Sequence, residues 1–107
     1  MPNVEANLFK ALADPTRRAL FERLTRDGDQ TVHALTERSG VSQPMVSKHL
    51  SALKRARLVR HRRQGRENHY SAQPQGLAPL VNWMEQYGVF WQNKFDRLED
   101  LLKRMEP

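Results

Sequence analysis

The chain has 107 residues, 38% of them hydrophobic and 28% charged, with a net charge of +6 and no cysteine. That length suits one domain with a small core, and the lack of cysteine excludes disulfides, thiolate metal sites and thiol redox sensing. No apolar run approaches the roughly 18 residues of a membrane span, and MPNVEANLFK lacks a signal peptide's apolar centre, so no membrane partner and a cytoplasmic location are expected.

Residues 3–13 read as a first helix with Leu8, Leu12, Val4 and Phe9 facing inward. Asp14-Pro15 is an N-cap followed by proline at the first helical position. The helix it starts, residues 15–26, buries Leu20, Phe21 and Leu24 and stops at Asp27-Gly28-Asp29. Thr31 then caps a third helix, residues 32–39, with Val32 and Leu35 inward. In the following Ser39-Gly40-Val41-Ser42, Gly40 is placed for the left-handed conformation that ends one helix. Ser42 is placed to cap the next, with Pro44 tolerated in its first turn.

Residues 42–56 form one amphipathic helix. Val46, Leu50 and Leu53 make its apolar stripe, while Pro44, Ser47, Lys48, Ser51 and Arg55 fall on the opposite face, which has no carboxylate. Two helices joined by a glycine-containing turn, about 32–56, are a helix-turn-helix whose second helix is expected in a DNA major groove. Gln43, Ser47 and Ser51 are the expected readers of base edges, Met45 and Pro44 are placed to touch thymine methyls, and Lys48 is assigned to phosphate. Charge supports this reading. Between Glu37 and Glu67 lie nine of the 18 Lys and Arg and no Asp or Glu, whereas the rest of the chain carries nine basic residues against 12 acidic. A merely solvated face would mix both signs; a single-sign stretch is a surface for a polyanion.

Beyond Arg57 the helical period disappears. Residues 58–64 and 67–72 flank Gly65-Arg66, a Gly-X pair suited to a type II′ hairpin, with Val59 and Tyr70 as inward anchors. This basic hairpin, about 58–72, is a wing whose Arg60, Arg62, Arg63 and Arg66 are expected on the phosphate backbone or in the minor groove. After the breaker cluster Gln73-Pro74-Gln75-Gly76, residues 77–105 read as one long helix of about 43 Å. Its apolar positions (Leu77, Leu80, Met84, Tyr87, Trp91, Phe95, Leu98, Leu102, Met105) exceed what a domain this small covers. The first half is expected on the first helix. Trp91, Phe95, Leu98 and Leu102, with Leu8, are expected to face a second copy. Gly88 either admits another helix closely or is a tolerated defect.

The fold expected is therefore mostly α with a small β-hairpin, in the order ααααββα, with residues 3–13 and 77–105 as dimerisation helices. The segments LFKALADPTRRALFERL and VHALTERSGVSQPMVSKHLSALKRARLVRHRRQGRENHY resemble the ArsR family of bacterial winged-helix repressors. The resemblance covers about residues 8–72, and ALADPTRR and SQPMVSKHLSALKRARLV are its most specific parts. It implies a homodimer joined by its terminal helices. It also implies binding to an inverted repeat near a promoter, usually the protein's own, with transcription blocked while bound. The tail WMEQYGVFWQNKFDRLEDLL resembles a subgroup rich in tail aromatics and without metal ligands.

The cysteine pair of the metal-sensing members would fall at Thr31 and His33, and residues 77–105 contain no histidine. His33 reads as a surface residue and His49 as lying between the core and DNA faces, while His61 and His69 are candidate neighbours across the wing. No metal and no cofactor is expected, and no small-molecule inducer is identified. The expected function is a homodimeric, sequence-specific DNA-binding repressor whose partner is double-stranded operator DNA. A winged-helix module for a protein partner is the alternative, disfavoured by the bare arginines. No nucleophile triad, carboxylate pair or phosphate loop supports an enzyme.

Overall fold

The computed structural model describes residues 4–105. Helix α1 (Val4–Ala13) leads into α2 (Pro15–Asp27), whose N-terminus is held by the Asp14 carboxylate accepting from the amides of Thr16 at 2.8 Å and Arg17 at 3.1 Å. The Arg17 amide contributes most to holding the Asp14 carboxyl below its ordinary value; slight burial opposes it, and the Thr16 amide with the neighbouring Arg17 charge adds to it. Gly28, at φ 83°, ends α2 by donating to the Leu24 carbonyl. A two-residue strand β1 (Gln30–Thr31) follows, then α3 (Val32–Thr36), capped by Thr31 Oγ1 accepting from the Ala34 amide at 3.0 Å. Helix α4 (Gln43–Arg55) precedes strands β2 (Val59–Gln64) and β3 (Glu67–Ala72). The three strands form an antiparallel sheet with β3 central.

Leu8, Leu20, Phe21, Leu24, Leu35, Val46, Leu50, Leu53, Leu58 and Val59 make one core, reached from outside by Leu77, Leu80 and Tyr70. Leu8, expected at a dimer interface, is 0% exposed in the single chain. Its side chain belongs to the core of the single chain. Its neighbour Phe9, expected inward, instead lies on the outer side of α1 and meets Trp83 edge to face at 5.7 Å. Val4's side chain lies outside the described residues.

Three further departures from the sequence reading have physical causes. β1 was not anticipated: two residues carry no period, and only the pairing of Gln30 with Tyr70 and Thr31 with His69 makes them a strand. α3 stops at Thr36 rather than Ser39. The Arg23 guanidinium, reaching over from α2, donates to the carbonyls of Ala34 (2.7 Å), Leu35 (3.0 Å) and Glu37 (2.9 Å), which replaces the missing helical turn. Arg38 (φ 67°) and Gly40 (φ 78°) both take positive φ in the ensuing turn.

The C-terminal helix is divided. A 3-10 turn at Pro74–Leu77 leads into α5 (Ala78–Glu85), and α6 (Gly88–Arg104) is the long segment. Between them the amides of Gln86 and Tyr87 bond back three residues, to Trp83 and Met84, and Tyr87 leaves helical geometry at φ −110°, ψ 31°. The apolar stripe runs on across this break, so periodicity could not disclose it. α5 packs on α1. α6 projects, and the radius of gyration is accordingly 17.8 Å against about 13 Å for a compact chain of this length.

Candidate nucleic-acid interface

α4 is positioned from three directions. Its buried stripe, Val46, Leu50 and Leu53, is fully enclosed by the core. Ser42 Oγ caps its start by accepting from the Met45 amide at 3.3 Å. Its end is closed by Arg57 at φ 62°, with the Arg57 amide bonded to the Lys54 carbonyl (3.0 Å) and the Leu58 amide to the Leu53 carbonyl (2.9 Å). This pair of bonds is a Schellman closure. It returns Leu58 and Val59 to the core and starts the wing. What remains outward on α4 is Gln43, Pro44, Met45, Ser47, Lys48, Ser51, Lys54 and Arg55, each of them exposed.

His49 lies deeper than its expected place on the flank. It is 6% exposed, and its Nδ1 accepts from Arg17 Nε at 3.1 Å. An arginine only donates, so the ring proton sits on Nε2. Arg17 also donates to the Lys10 carbonyl at 3.4 Å and so ties α1, α2 and α4 together.

The wing turn has Gly65 at φ 63° with Arg66 outside the positive region, as a type II′ turn requires. Cross-strand register sorts its side chains. His61 opposite Tyr70 and Arg63 opposite Asn68 share the core-facing side with Val59. Arg60 and Arg62, opposite Ser71 and His69, lie on the outer side. The two wing histidines therefore do not adjoin. His61 contacts the Tyr70 ring and bonds Asn68 Oδ1 at 2.8 Å, whereas His69 Nδ1 donates to Asp29 at 2.9 Å.

Asp29 also receives Arg62 at 3.3 Å, and Arg62 donates to Gln64 at 2.7 Å, so this arginine is folded back along the wing. Burial pushes the Asp29 carboxyl up. The hydrogen bonds from His69 and Arg62 and their charges outweigh it and hold it below its ordinary value. Any stability this latch contributes is present above the ordinary carboxylate pKa and lost as pH falls through the lowered one.

At the tip, Arg66 lines a polar notch of about 150 Å³ together with Gln43, His33, Asn68 and Glu67. The wing tip and the start of α4 thus share one cleft. Sequence reading missed Arg17, Arg23, Asp29 and Asn68. Arg23 lies beside the buried Leu20 and Leu24, which marks only a boundary position; its carbonyl partners 11 to 14 residues on have no sequence signal.

Trp91, Phe95, Leu98 and Leu102 recur along one side of α6. Phe95 is 61% exposed, Leu98 51% and Leu102 55%; Trp91 is half-buried between Phe90 and Phe95. No helix among the described residues is long and apolar enough to cross a membrane.

A helix-turn-helix with an exposed outer helix face and a basic wing beside it defines a winged helix-turn-helix regulator. Comparison with known proteins agrees. A helix-turn-helix domain family matches residues 12–62. The transcriptional repressor SdpR of Bacillus subtilis is 38% identical over 78 residues, 73% of this chain and 86% of that one. An ArsR-like transcriptional regulator from Rhodococcus sp. RHA1 superposes with a TM-score of 0.73 at 32% identity, covering 96% of this chain and 94% of that one. The homodimeric winged helix-turn-helix DNA-binding domain of Mb0332 from Mycobacterium bovis gives 0.64 at 28% identity, over 79% and 78%. The chain belongs to the ArsR family of transcriptional regulators and is not an enzyme.

Proposed function

We propose that residues 1–107 act as one winged-helix unit, which dimerises in the cytoplasm and represses transcription by binding an inverted repeat near its own promoter. The observation that carries this reading is the outward face of α4: every side chain on it is exposed, none is a carboxylate, and the wing tip meets its first turn. The name of SdpR describes a repressor, and the Mb0332 domain is described as homodimeric and DNA-binding, which supports the same reading here. Gln43 presents an acceptor and donors to adenine, Ser47 and Ser51 reach neighbouring base edges, and Pro44 and Met45 meet thymine methyls. Lys48 and Arg55 neutralise phosphate. With no cysteine in the chain and no histidine in residues 77–105, repression runs without a cysteine-held metal.

Footprinting on DNA upstream of the gene tests the reading. A protected inverted repeat is expected, unchanged by zinc, cadmium, arsenite or chelator. Protection absent from that DNA, or abolished stoichiometrically by a metal, rejects it.

The wing geometry yields a second expectation. Arg63 lies on the core-facing side of the wing and Arg66 at the tip beside Gln43, whereas Arg62 is held by Asp29. Replacing Arg63 and Arg66 by alanine should weaken all duplexes alike and reduce the salt slope by about 1 per lost phosphate contact. Replacing Arg60 and Arg62 should do less. Equal effects of the two pairs in salt-titrated binding would show that register does not divide the wing's work.

A further inference from the structure

The far end of α4 carries a second basic feature. Asn7 and Lys10 of α1, Arg17 of α2 and Arg55 of α4 surround a polar notch of about 240 Å³, floored by the small side chains of Ala11 and Ala52. Three cations line it and no carboxylate does. Asp14, at the start of α2, is committed to the amides of Thr16 and Arg17. Arg17 is already immobilised by His49 and the Lys10 carbonyl, bonds that occupy two of the five donors of its guanidinium. A fixed guanidinium lining one notch with two exposed cations is a preorganised anion seat.

Its position indicates which anion. Arg55 continues the outward face of α4 one turn beyond Ser51, and from Gln43 to Arg55 the helix runs about 18 Å. A B-DNA major groove is about 12 Å wide. If the first turn reads bases, the last turn emerges over the sugar-phosphate strand that borders the groove. The wing tip stands at the Gln43 end and the notch at the Arg55 end, so the two bracket the helix.

We infer that the Asn7–Lys10–Arg17–Arg55 notch seats one DNA phosphodiester per subunit, at the opposite end of α4 from the wing. This rests on the DNA-binding reading and extends its footprint to α1 and α2, which lie outside the helix-turn-helix. Lys10 and Asn7 are the new contacts, and Arg17 is a positioning residue for them as well as a donor.

The test compares full-length wild type, Lys10→Ala, Arg55→Ala and the double variant on the same operator over a range of salt. Lys10 and Arg55 are exposed, so thermal unfolding should stay at the wild-type temperature. Operator affinity should fall several-fold in each single variant, and the double variant's salt slope should be shallower by about 1. An operator with a single neutral methylphosphonate at the seated position should bind wild type and the double variant equally. Variants that keep wild-type affinity and slope, on an operator that wild type binds, overturn the seat and with it the phosphate role of Arg55, while leaving DNA binding by the rest of α4 and the wing intact. Wild type that binds no duplex overturns the DNA reading itself. Inorganic phosphate at constant ionic strength distinguishes the other source of the same chemistry. If it saturates the notch, read as amide shifts at Asn7 and Lys10, while the double variant keeps the wild-type salt slope, the seat serves a free anion and the inference fails.

Discussion

Replacing Leu98 with glutamate is expected to yield a folded monomer that no longer binds operator. Leu98 lies in the middle of the α6 stripe and is 51% exposed in the single chain, so the change removes nothing from the core. In a two-fold dimer the same change occurs twice. Each copy loses the burial of one leucine, roughly 1.5–3 kcal/mol, and a carboxylate must be desolvated against an apolar face at a further cost of several kcal/mol. These losses fall on a single interface, whereas α4 and the wing are untouched. Loss of operator binding follows because one subunit presents one α4, while an inverted repeat is read by two helices about 34 Å apart. Sedimentation and operator binding measured together decide the matter. A variant that stays dimeric means the partner-facing stripe lies elsewhere. A monomer with full selectivity for one operator ends the dimeric model.

Gly76→Ala is expected to be the most damaging small substitution for the fold. A Cβ built on Gly76 would overlap the carbonyl oxygen of Arg57 and stand 2.7 Å from the carbonyl carbon. Backbone, unlike the end of a side chain, cannot swing aside. Arg57 is also fixed by its positive φ and by the closure of α4, and the next two residues, Leu58 and Val59, are buried. Gln73 donates to the Leu58 carbonyl at 2.7 Å and Gly76 to the Gln73 carbonyl at 2.9 Å, so the chain leaving the wing is pinned to the chain entering it. Overpacking of this kind costs about 1–3 kcal/mol or more. At about 4–8 °C per kcal/mol for a small domain, a fall in Tm is readily measured. Gly88→Ala is the control: its Cβ would meet nothing within 4 Å, and its φ is not positive. If Gly76→Ala melts with the wild type, the close approach does not constrain the fold.

The residues that build α4 show how much of this molecule is legible without coordinates. Val46, Leu50 and Leu53 recur at the helical period, Ser42 caps, and Pro44 sits where a missing amide is harmless; all of these act within one or two turns. The same holds for Asp14, Thr31 and the Gly65-Arg66 turn. The outward face of α4 follows at once, because burying one side of a helix determines which side remains. The Gly76 approach to Arg57 was legible only as a breaker cluster.

The tertiary structure alone decided the rest, since it depends on which elements meet. Phe9 and Leu8 are adjacent apolar residues, yet one is enclosed by the core and the other lies against Trp83. Arg23 truncates α3 from another helix, and Asp29 folds Arg62 back from a position 33 residues away. Arg17, Lys10 and Arg55 share a notch although 45 residues separate the outer two. A periodic pattern reports what a segment buries, but not against what, and it continues unbroken through Gln86 and Tyr87, where α5 ends and α6 turns away to project its stripe. Caps and periods are local energies, readable along the chain; partner choice is set by long-range packing, which only the assembled core determines.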